Sequence, residues 1–185
     1  MSSSNIEILS SEKIAQRIAD LQGAYQSMTS EFNAFAQNHN GLECVQNLIS
    51  GKFRVACQDF FGVKLTEAKA GAVVATYKPH WFQNNSFGTV QGGSLAVPLD
   101  GIITLSGRTL VEAGNTAVTK GLSVTYVKPV IASNPDQHDE KLLKVFGHAE
   151  RTNGKNIVCH GWLENDQGEV VATARAEIIE MAMHR

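Results

Sequence analysis

The sequence has few of the features that mark membrane, secreted or nucleic-acid-binding proteins. No apolar run approaches the roughly 20 residues that a transmembrane helix needs. The first residues, 1–7, lack the basic and apolar regions of a secretory signal. The 16 basic and 18 acidic residues leave a formal net charge of −2, so no global field attracts nucleic acid. We therefore expect neither a membrane nor a nucleic acid as a partner.

Cysteine is also scarce, and its spacing does not indicate a metal site. The three cysteines, Cys44, Cys57 and Cys159, are an odd and scattered set. Such a set favours a reduced, cytoplasmic setting.

The histidines do not predict a metal site either. The chain has six of them: His39, His80, His138, His148, His160 and His184. His160 and its neighbour Cys159 point to opposite faces of a predicted strand, so they cannot share one ion. His148 and His160 are expected on neighbouring strands, but no third ligand converges on them. We expect no metal and no redox cofactor.

What the sequence does contain is enough apolar residues for a full-sized core. It has 185 residues, of which 43% are hydrophobic, and this is typical of one globular domain with a helical appendage. Residues 11 to about 37 repeat apolar side chains at helical spacing, with Ser10 or Ser11 as the cap. A second helix is predicted over roughly 42–60. We therefore predict a helical extension at 1–60 and a main domain at 61–185.

The main domain reads as a set of strands around one helix. Two strands are predicted at 63–67 and 72–77, and a helix that is apolar on most faces at 92 to about 113. Further strands are predicted at 117–127, 141–151, 156–164 and 170–181, with Asn153-Gly154 as a hairpin turn. No helix intervenes between these later strands, so they are antiparallel. The pattern predicts an α+β fold, in which a curved antiparallel sheet of five to six strands wraps around one long buried helix.

The segment before this central helix has the composition of a binding site. It reads Asn85-Ser86-Phe87-Gly88-Thr89-Val90-Gln91-Gly92-Gly93, and Asp100 follows inside the helix. Glycines at a helix N-terminus leave backbone N–H groups free to hold a polarised carbonyl oxygen. A carboxylate in an apolar helix is costly to desolvate unless it has a partner or a use. The pattern favours a site for carbonyl chemistry.

The same residues carry a resemblance to a known family. The pattern Asn85-x-x-Gly88-x-x-Gln91-Gly92-Gly93, with an acid eight residues after Gly92, resembles the motif of hotdog-fold acyl-CoA thioesterases of the phenylacetic-acid-degradation type. The segment 119–129 resembles the strand after the central helix in that family, and 151–155 resembles its hairpin. The resemblance covers roughly residues 60–182. Gln91 stands where the family usually has histidine.

The resemblance implies a hotdog fold and hydrolysis of an acyl- or aryl-CoA thioester to free acid and CoA. It implies that the Gly92 N–H is the oxyanion donor and that Asp100 is general base or nucleophile. Asn85 would orient the thioester or the water, and Thr119 would help to place the water. Residues expected to contact CoA are Gln91, Gly93, Lys128, Arg151 and Lys155.

The spacing of the two principal groups has a consequence of its own. Gly92 and Asp100 are eight residues apart, which along one helix is about 12 Å. Reacting atoms must come within roughly 3–3.5 Å. One helix therefore cannot bring both groups to one carbonyl, and a two-fold homodimer with a shared site can do so twice. A dimer of dimers is an open alternative that the family suggests.

Other interpretations of the same residues stay open. The glycines could serve close helix packing, Asp100 could be a buried hydrogen-bonded acid, Asn85 a turn residue and Thr119 an ordinary strand residue. The chain could bind acyl-CoA without hydrolysis, as a sensor or regulatory module. A hotdog dehydratase is less favoured because Gln91 removes the expected imidazole. A nucleophile elbow at Ser94 lacks its final glycine.

Overall fold

The structure is a computed structural model that describes residues 11–132 and 141–183. Its helices are α1 (Ser11–Ala36), α2 (Gly41–Ile49), α3 (Ala56–Phe61) and α4 (Gly92–Arg108), with a single 3₁₀ turn at Trp81–Gln83. Its strands are β1 (Val63–Lys69), β2 (Ala72–Tyr77), β3 (Asn115–Tyr126), β4 (Leu143–Asn153), β5 (Asn156–Glu164) and β6 (Val170–Ala182). None of the helices in these ranges is long and apolar enough to cross a membrane.

The six strands form one antiparallel sheet in the order β1-β2-β4-β5-β6-β3. The predicted α+β fold is confirmed, with a long helix packed against the sheet. Strand β3 does not pair with β2 or β4, its neighbours in the sequence. It pairs with β6 at the edge of the sheet opposite β1. Within residues 11–132 and 141–183, β1 and β3 therefore each have only one strand partner, and no strand pairs with their outer edges.

Helix α4 is buried against the sheet by its apolar face. Leu99, Ile102 and Ile103 are fully buried in the core. Two glycines that are partners on β4 and β5, Gly147 and Gly161, lie beneath the helix. A Cβ on Gly147 would stand 2.8 Å from the Ile102 carbonyl oxygen, and one on Gly161 would stand 2.3 Å from Ile103 Cγ2. Only glycine at both positions allows the helix to lie this close to the sheet.

The predicted second helix, 42–60, is wrong because it is two helices. Asn40 and Glu43 form a capping box that begins α2. Gly51 then adopts a φ of +79°, which ends the helix. In the chain that follows, Phe53 is buried, and its ring centroid lies 5.3 Å from that of Phe32 and 5.4 Å from that of Phe35. Helix α3 begins only after this apolar anchor.

The central helix ends earlier than the sequence pattern predicts, at Arg108 instead of near residue 113. Thr109 donates a hydrogen bond from its hydroxyl to the Ser106 carbonyl at 2.6 Å, and the same hydroxyl accepts the Gly71 N–H at 2.7 Å. A contact between the helix end and the β1–β2 turn thus sets the boundary. Leu110 and Val111 continue the apolar pattern, but they do so outside the helix.

Side-chain contacts join α1 to α3 and to the end of α4. On α1, Tyr25 donates a hydrogen bond to Asp59 of α3 at 2.6 Å, and Asp59 also pairs with Arg54 at 2.9 Å. Arg108 is buried beneath α1, with its guanidinium 5.0 Å from the centre of the Phe32 ring. Two of its nitrogens, Nε and Nη2, have no hydrogen-bond partner among the described residues. The division of the chain at residue 60 stays a prediction.

Candidate active site

Helix α4 presents free backbone donors at its first turn. Gln91 is the N-cap residue, and its side chain makes no capping hydrogen bond. Its N–H donates to the Gln83 carbonyl at 2.9 Å, which fixes the chain as it enters the helix. Among the hydrogen bonds of residues 11–132 and 141–183, none is donated by the N–H groups of Gly92 or Gly93. These two amides are therefore free to donate hydrogen bonds to an oxygen atom of a bound ligand.

Tyr126, at the end of β3, lies against Gly92. Its hydroxyl donates a hydrogen bond to the Gly92 carbonyl at 2.8 Å. A Cβ built on Gly92 would stand 2.9 Å from Cζ of that ring, whereas one on Gly93 would meet nothing within 4 Å. A side chain at position 92 would therefore require the Tyr126 ring to move. Glycine at position 93 instead keeps the approach to the helix N-terminus open.

Asp100 and Thr119, which the sequence analysis assigned to one site, are in direct contact. The Thr119 hydroxyl donates to Asp100 Oδ1 at 3.0 Å. A second hydroxyl, that of Thr104, lies 2.8 Å from the Thr119 hydroxyl. The register of β3 with β6 is irregular between Thr119 and Gly121, and such a bulge changes the direction of nearby side chains. The result is a half-buried carboxylate at the end of a chain of two hydroxyls.

The Asn85 side chain is used by its own loop. Its Oδ1 accepts the N–H groups of Phe87 at 2.9 Å and Thr89 at 3.3 Å, and its Nδ2 donates to the Thr89 hydroxyl at 2.9 Å. Gly88 in this loop has a φ of +79°. These contacts fix the turn that leads to Gln91. The catalytic role that the resemblance implies for Asn85 stays a prediction.

Pro98 lies inside α4 and leaves the Ser94 carbonyl without its usual helical donor. The hydroxyl of the buried Tyr77 approaches that carbonyl at 3.5 Å and donates to Gln83 Oε1 at 2.8 Å. Burial raises the pKa of Tyr77 far above its usual range, so the hydroxyl stays protonated. Its single proton is directed to Gln83, so the Ser94 carbonyl is only a distant second acceptor.

A cavity of about 350 Å³ opens beside the N-terminus of α4. Its lining consists of Thr89, Val90, Gly92, Leu95, Tyr126, Val127, Lys128, Pro129 and Val130. Lys128, one of the predicted CoA contacts, is therefore close to the free amides. Its ammonium group lies 2.6 Å from Glu169, and this hydrogen bond lowers the pKa of Glu169. The cavity combines a cation, free backbone donors and an apolar wall.

The other two basic residues lie near the opposite end of α4. Arg151 donates to the Leu110 carbonyl at 2.7 Å and pairs with Glu180 at 2.7 Å. Leu110 follows the last turn of the helix, which is about 25 Å from Gly92 along the axis. Lys155 lies in the adjoining β4–β5 hairpin. Their proposed contact with CoA stays a prediction, and for Arg151 it would compete with a buried carboxylate.

No cluster of three histidine, cysteine, aspartate or glutamate side chains that could hold a metal is present in the part of the chain that the structure describes. Cys44 and Cys159 are buried and Cys57 is exposed, all three as free thiols. His138 and His184, which the sequence analysis considered, lie outside the described residues.

Two residues of the site, Thr104 and Tyr126, were not identified from the sequence. Thr104 follows Asp100 by four residues, so helical spacing alone places both on one face. Tyr126 carried no such signal, because its contact with Gly92 joins residues that are 34 positions apart.

No protein-family model matches the sequence, and no curated protein does. Solved structures do match. The E. coli PaaI protein from the phenylacetic acid degradation operon is 18% identical with a TM-score of 0.64, over 74% of this chain and 92% of that chain. A phenylacetic acid degradation-related protein from Ralstonia eutropha JMP134 is 25% identical with a TM-score of 0.63, over 72% and 97%.

A third match, smu.793 from Streptococcus mutans UA159, was solved with acetyl CoA bound. It is 20% identical with a TM-score of 0.59, over 72% of this chain and 97% of that chain. These likenesses extend over nearly the whole length of the solved proteins and agree with the six-stranded sheet and its long helix. The chain therefore has the hotdog fold, in the arrangement found in structures of the phenylacetic-acid-degradation type.

Proposed function

We propose that this protein is an acyl-CoA thioesterase, which hydrolyses an acyl- or aryl-CoA thioester to free acid and CoA. The observation that carries the proposal is the contact of Thr119 on β3 with Asp100 of α4, a helix whose first two amides donate no hydrogen bond within the described residues. A carboxylate, a hydroxyl and backbone donors are the groups that thioester hydrolysis needs. The three free cysteines fit a cytoplasmic setting.

The chemistry follows from these groups. The thioester carbonyl oxygen accepts hydrogen bonds from the free amides at the helix N-terminus, where the helix dipole favours the developing negative charge. Asp100 takes a proton from the attacking water, or attacks the carbonyl carbon itself, and Thr119 holds the carboxylate or the water. Collapse of the tetrahedral intermediate breaks the carbon–sulfur bond and releases the CoA thiolate. If Asp100 attacks, this cleavage leaves a mixed anhydride, which water hydrolyses to the free acid while the carboxylate is regenerated, so both routes give the same products.

The site is proposed to be shared between two subunits. Gly92 and Asp100 lie in the same helix, about 12 Å apart along its axis. Strand β3, which carries Thr119 and Tyr126, has an open edge, and its Val118 and Leu122 side chains are exposed. Pairing of two β3 edges would bury these apolar residues and satisfy the open backbone groups. A dimer of dimers remains a further alternative.

Bound CoA in structures of the same fold supports the substrate class. Besides the Streptococcus mutans protein, a hypothetical thioesterase protein from Streptococcus pneumoniae TIGR4 was solved with coenzyme A. The cavity beside Gly92 offers Lys128 for a phosphate and an apolar wall for the pantetheine arm. Gln91 and Gly93 are the chain neighbours of Gly92 and stay candidates on that ground, and Arg151 and Lys155 are more distant candidates.

A non-catalytic acyl-CoA-binding module is the second candidate. Gln91 places a neutral amide where the family usually has an imidazole, and both Oδ1 and Nδ2 of Asn85 form hydrogen bonds within its own loop. Both features leave fewer side chains to support hydrolysis, while the cavity beside Gly92 could still bind acyl-CoA. The dehydratase alternative has less support, because no histidine contacts Gly92, Asp100 or Thr119 in the hydrogen bonds of the described residues.

A thiol-release assay across aromatic, short and long acyl-CoAs tests the proposal. We expect hydrolysis by the wild-type protein, and a loss of about 10²- to 10⁴-fold in kcat for Asp100→Asn. Asp166→Asn, in the exposed β5–β6 turn, is the matched control and should leave the rate unchanged. Equal rates for Asp100→Asn and the wild type would refute the assignment. Tight acyl-CoA binding without thiol release would establish the binding module instead.

A further inference from the structure

Tyr126 touches the N-terminal end of α4 and has no role in the motif. It closes β3, its ring is half exposed, and it lines the same cavity as Gly92 and Lys128. Its hydroxyl donates to the Gly92 carbonyl at 2.8 Å. The ring atoms Cζ and Cε2 would stand 2.9 and 3.2 Å from a Cβ on Gly92, so the ring is in van der Waals contact with this residue.

The acceptor of that hydrogen bond belongs to a peptide group that the proposed reaction can use. The Gly92 carbonyl and the Gly93 N–H are two ends of one planar amide. A hydrogen bond to the carbonyl oxygen draws electron density from the nitrogen and makes the N–H a stronger donor. The Gly93 N–H donates no hydrogen bond within the described residues, and the space beside its α-carbon is open.

We propose that Tyr126 is a positioning residue that holds the Gly92–Gly93 peptide group, and that it thereby makes the Gly93 N–H a second oxyanion donor beside the Gly92 N–H. The catalytic part of this inference rests on the proposed thioesterase function. The hydroxyl fixes the peptide plane and polarises it, while the ring packs on Gly92. The carbonyl oxygen of the thioester then approaches over Gly93, where no side chain stands.

Tyr126→Phe tests the inference because it removes the hydroxyl and keeps the ring. In NMR spectra we expect the Gly92 carbonyl carbon and the Gly93 amide proton to move upfield. We expect kcat to fall about 3- to 10-fold, the effect of one hydrogen bond, with KM unchanged. Tyr25→Phe, which removes the 2.6 Å bond to Asp59 on the N-terminal helices, is the matched control. It should move neither resonance and leave kcat unchanged.

The two measurements separate the possible failures. Unchanged Gly92 and Gly93 resonances in Tyr126→Phe would overturn the inference, whatever the activity. Shifted resonances with an unchanged kcat would overturn its catalytic part. If the wild-type protein releases no thiol, the proposed function fails and the catalytic part fails with it, while the carbonyl resonance still decides whether Tyr126 holds the peptide group.

Discussion

Glu180 of β6 is a carboxylate whose neighbours keep it charged. Its side chain is only 8% exposed, and it accepts hydrogen bonds from Asn115 and Arg151, both at 2.7 Å. Burial acts to raise the pKa of Glu180, but the hydrogen bonds from Arg151 and Asn115 outweigh it and hold the pKa below its usual range. The residue therefore ties β6 to the start of β3 and to β4.

Replacement of the Glu180 carboxylate should change how the free energy of unfolding depends on pH. We expect Glu180→Gln to lower the free energy of unfolding by about 1–3 kcal/mol at pH 7, because Arg151 loses a charged acceptor. The folded pKa of Glu180 lies below the unfolded one, so its stabilisation is complete above the unfolded value near 4.5. It is lost as the pH falls through the folded pKa.

Urea unfolding at pH 7 and below pH 4 measures this effect. The difference between Glu180→Gln and the wild type should shrink at the lower pH. Glu177→Gln, on the same strand and 59% exposed, is the control and should change stability by less than about 0.5 kcal/mol at either pH. A difference that grows on acidification would contradict the assigned direction of the pKa.

At the residue scale the sequence predicted the site in part. It singled out Asp100 and Thr119, which are in contact, and Gly92, whose amide is unpaired. Tyr126 was not identified because its contact with Gly92 joins residues 34 positions apart. Such a contact depends on where β3 ends in space, and no local sequence pattern predicts that. For the same reason the hydrogen bond from Arg151 to the Leu110 carbonyl was not foreseen.

At the element scale, the approach of α4 to the sheet depends on glycine. We expect Gly147→Ala to destabilise the protein by about 1–3 kcal/mol, because the added methyl would stand 2.8 Å from the Ile102 carbonyl oxygen and force the helix to move. Thermal unfolding measures the loss. Gly23→Ala in α1 is the control, since a Cβ there meets nothing within 4 Å and alanine favours a helix.

The elements themselves were predicted best where a local signal sets their ends. Strand β2 and strand β5 begin and end where the sequence analysis placed them. The end of α4 was missed by about five residues, because the Thr109 hydroxyl bonds both to Ser106 and to the distant Gly71. The break after α2 had a local signal in Gly51, but the burial of Phe53 that accompanies it is a tertiary contact.

At the scale of the whole molecule, a shared site can be tested by complementation. Gly93→Val should block the helix N-terminus and Asp100→Asn should remove the base, so each homodimer should be inactive. A mixed dimer has one site with both changes and one with neither. Co-refolding of equal amounts should therefore restore about a quarter of the wild-type activity. Mixtures that stay inactive would argue for sites built within one subunit.

The order of the strands in the sheet was not predicted from the sequence. The predicted antiparallel strands were confirmed, but the placement of β3 beside β6 leaves it at an open edge. That placement follows from the helix between β2 and β3, which carries the chain across the sheet. The proposed dimer depends on this edge, whereas the sequence argument for it used only the length of α4.

The guanidinium of Arg108 has a consequence for the N-terminal helices that cover it. A buried cation whose Nε and Nη2 have no hydrogen-bond partner among the described residues carries a dehydration penalty, against which stand its contact with the Phe32 ring and one hydroxyl contact. Lifting α1 would return that cation to water. The burial of this charge therefore opposes the packing of α1 on the sheet domain.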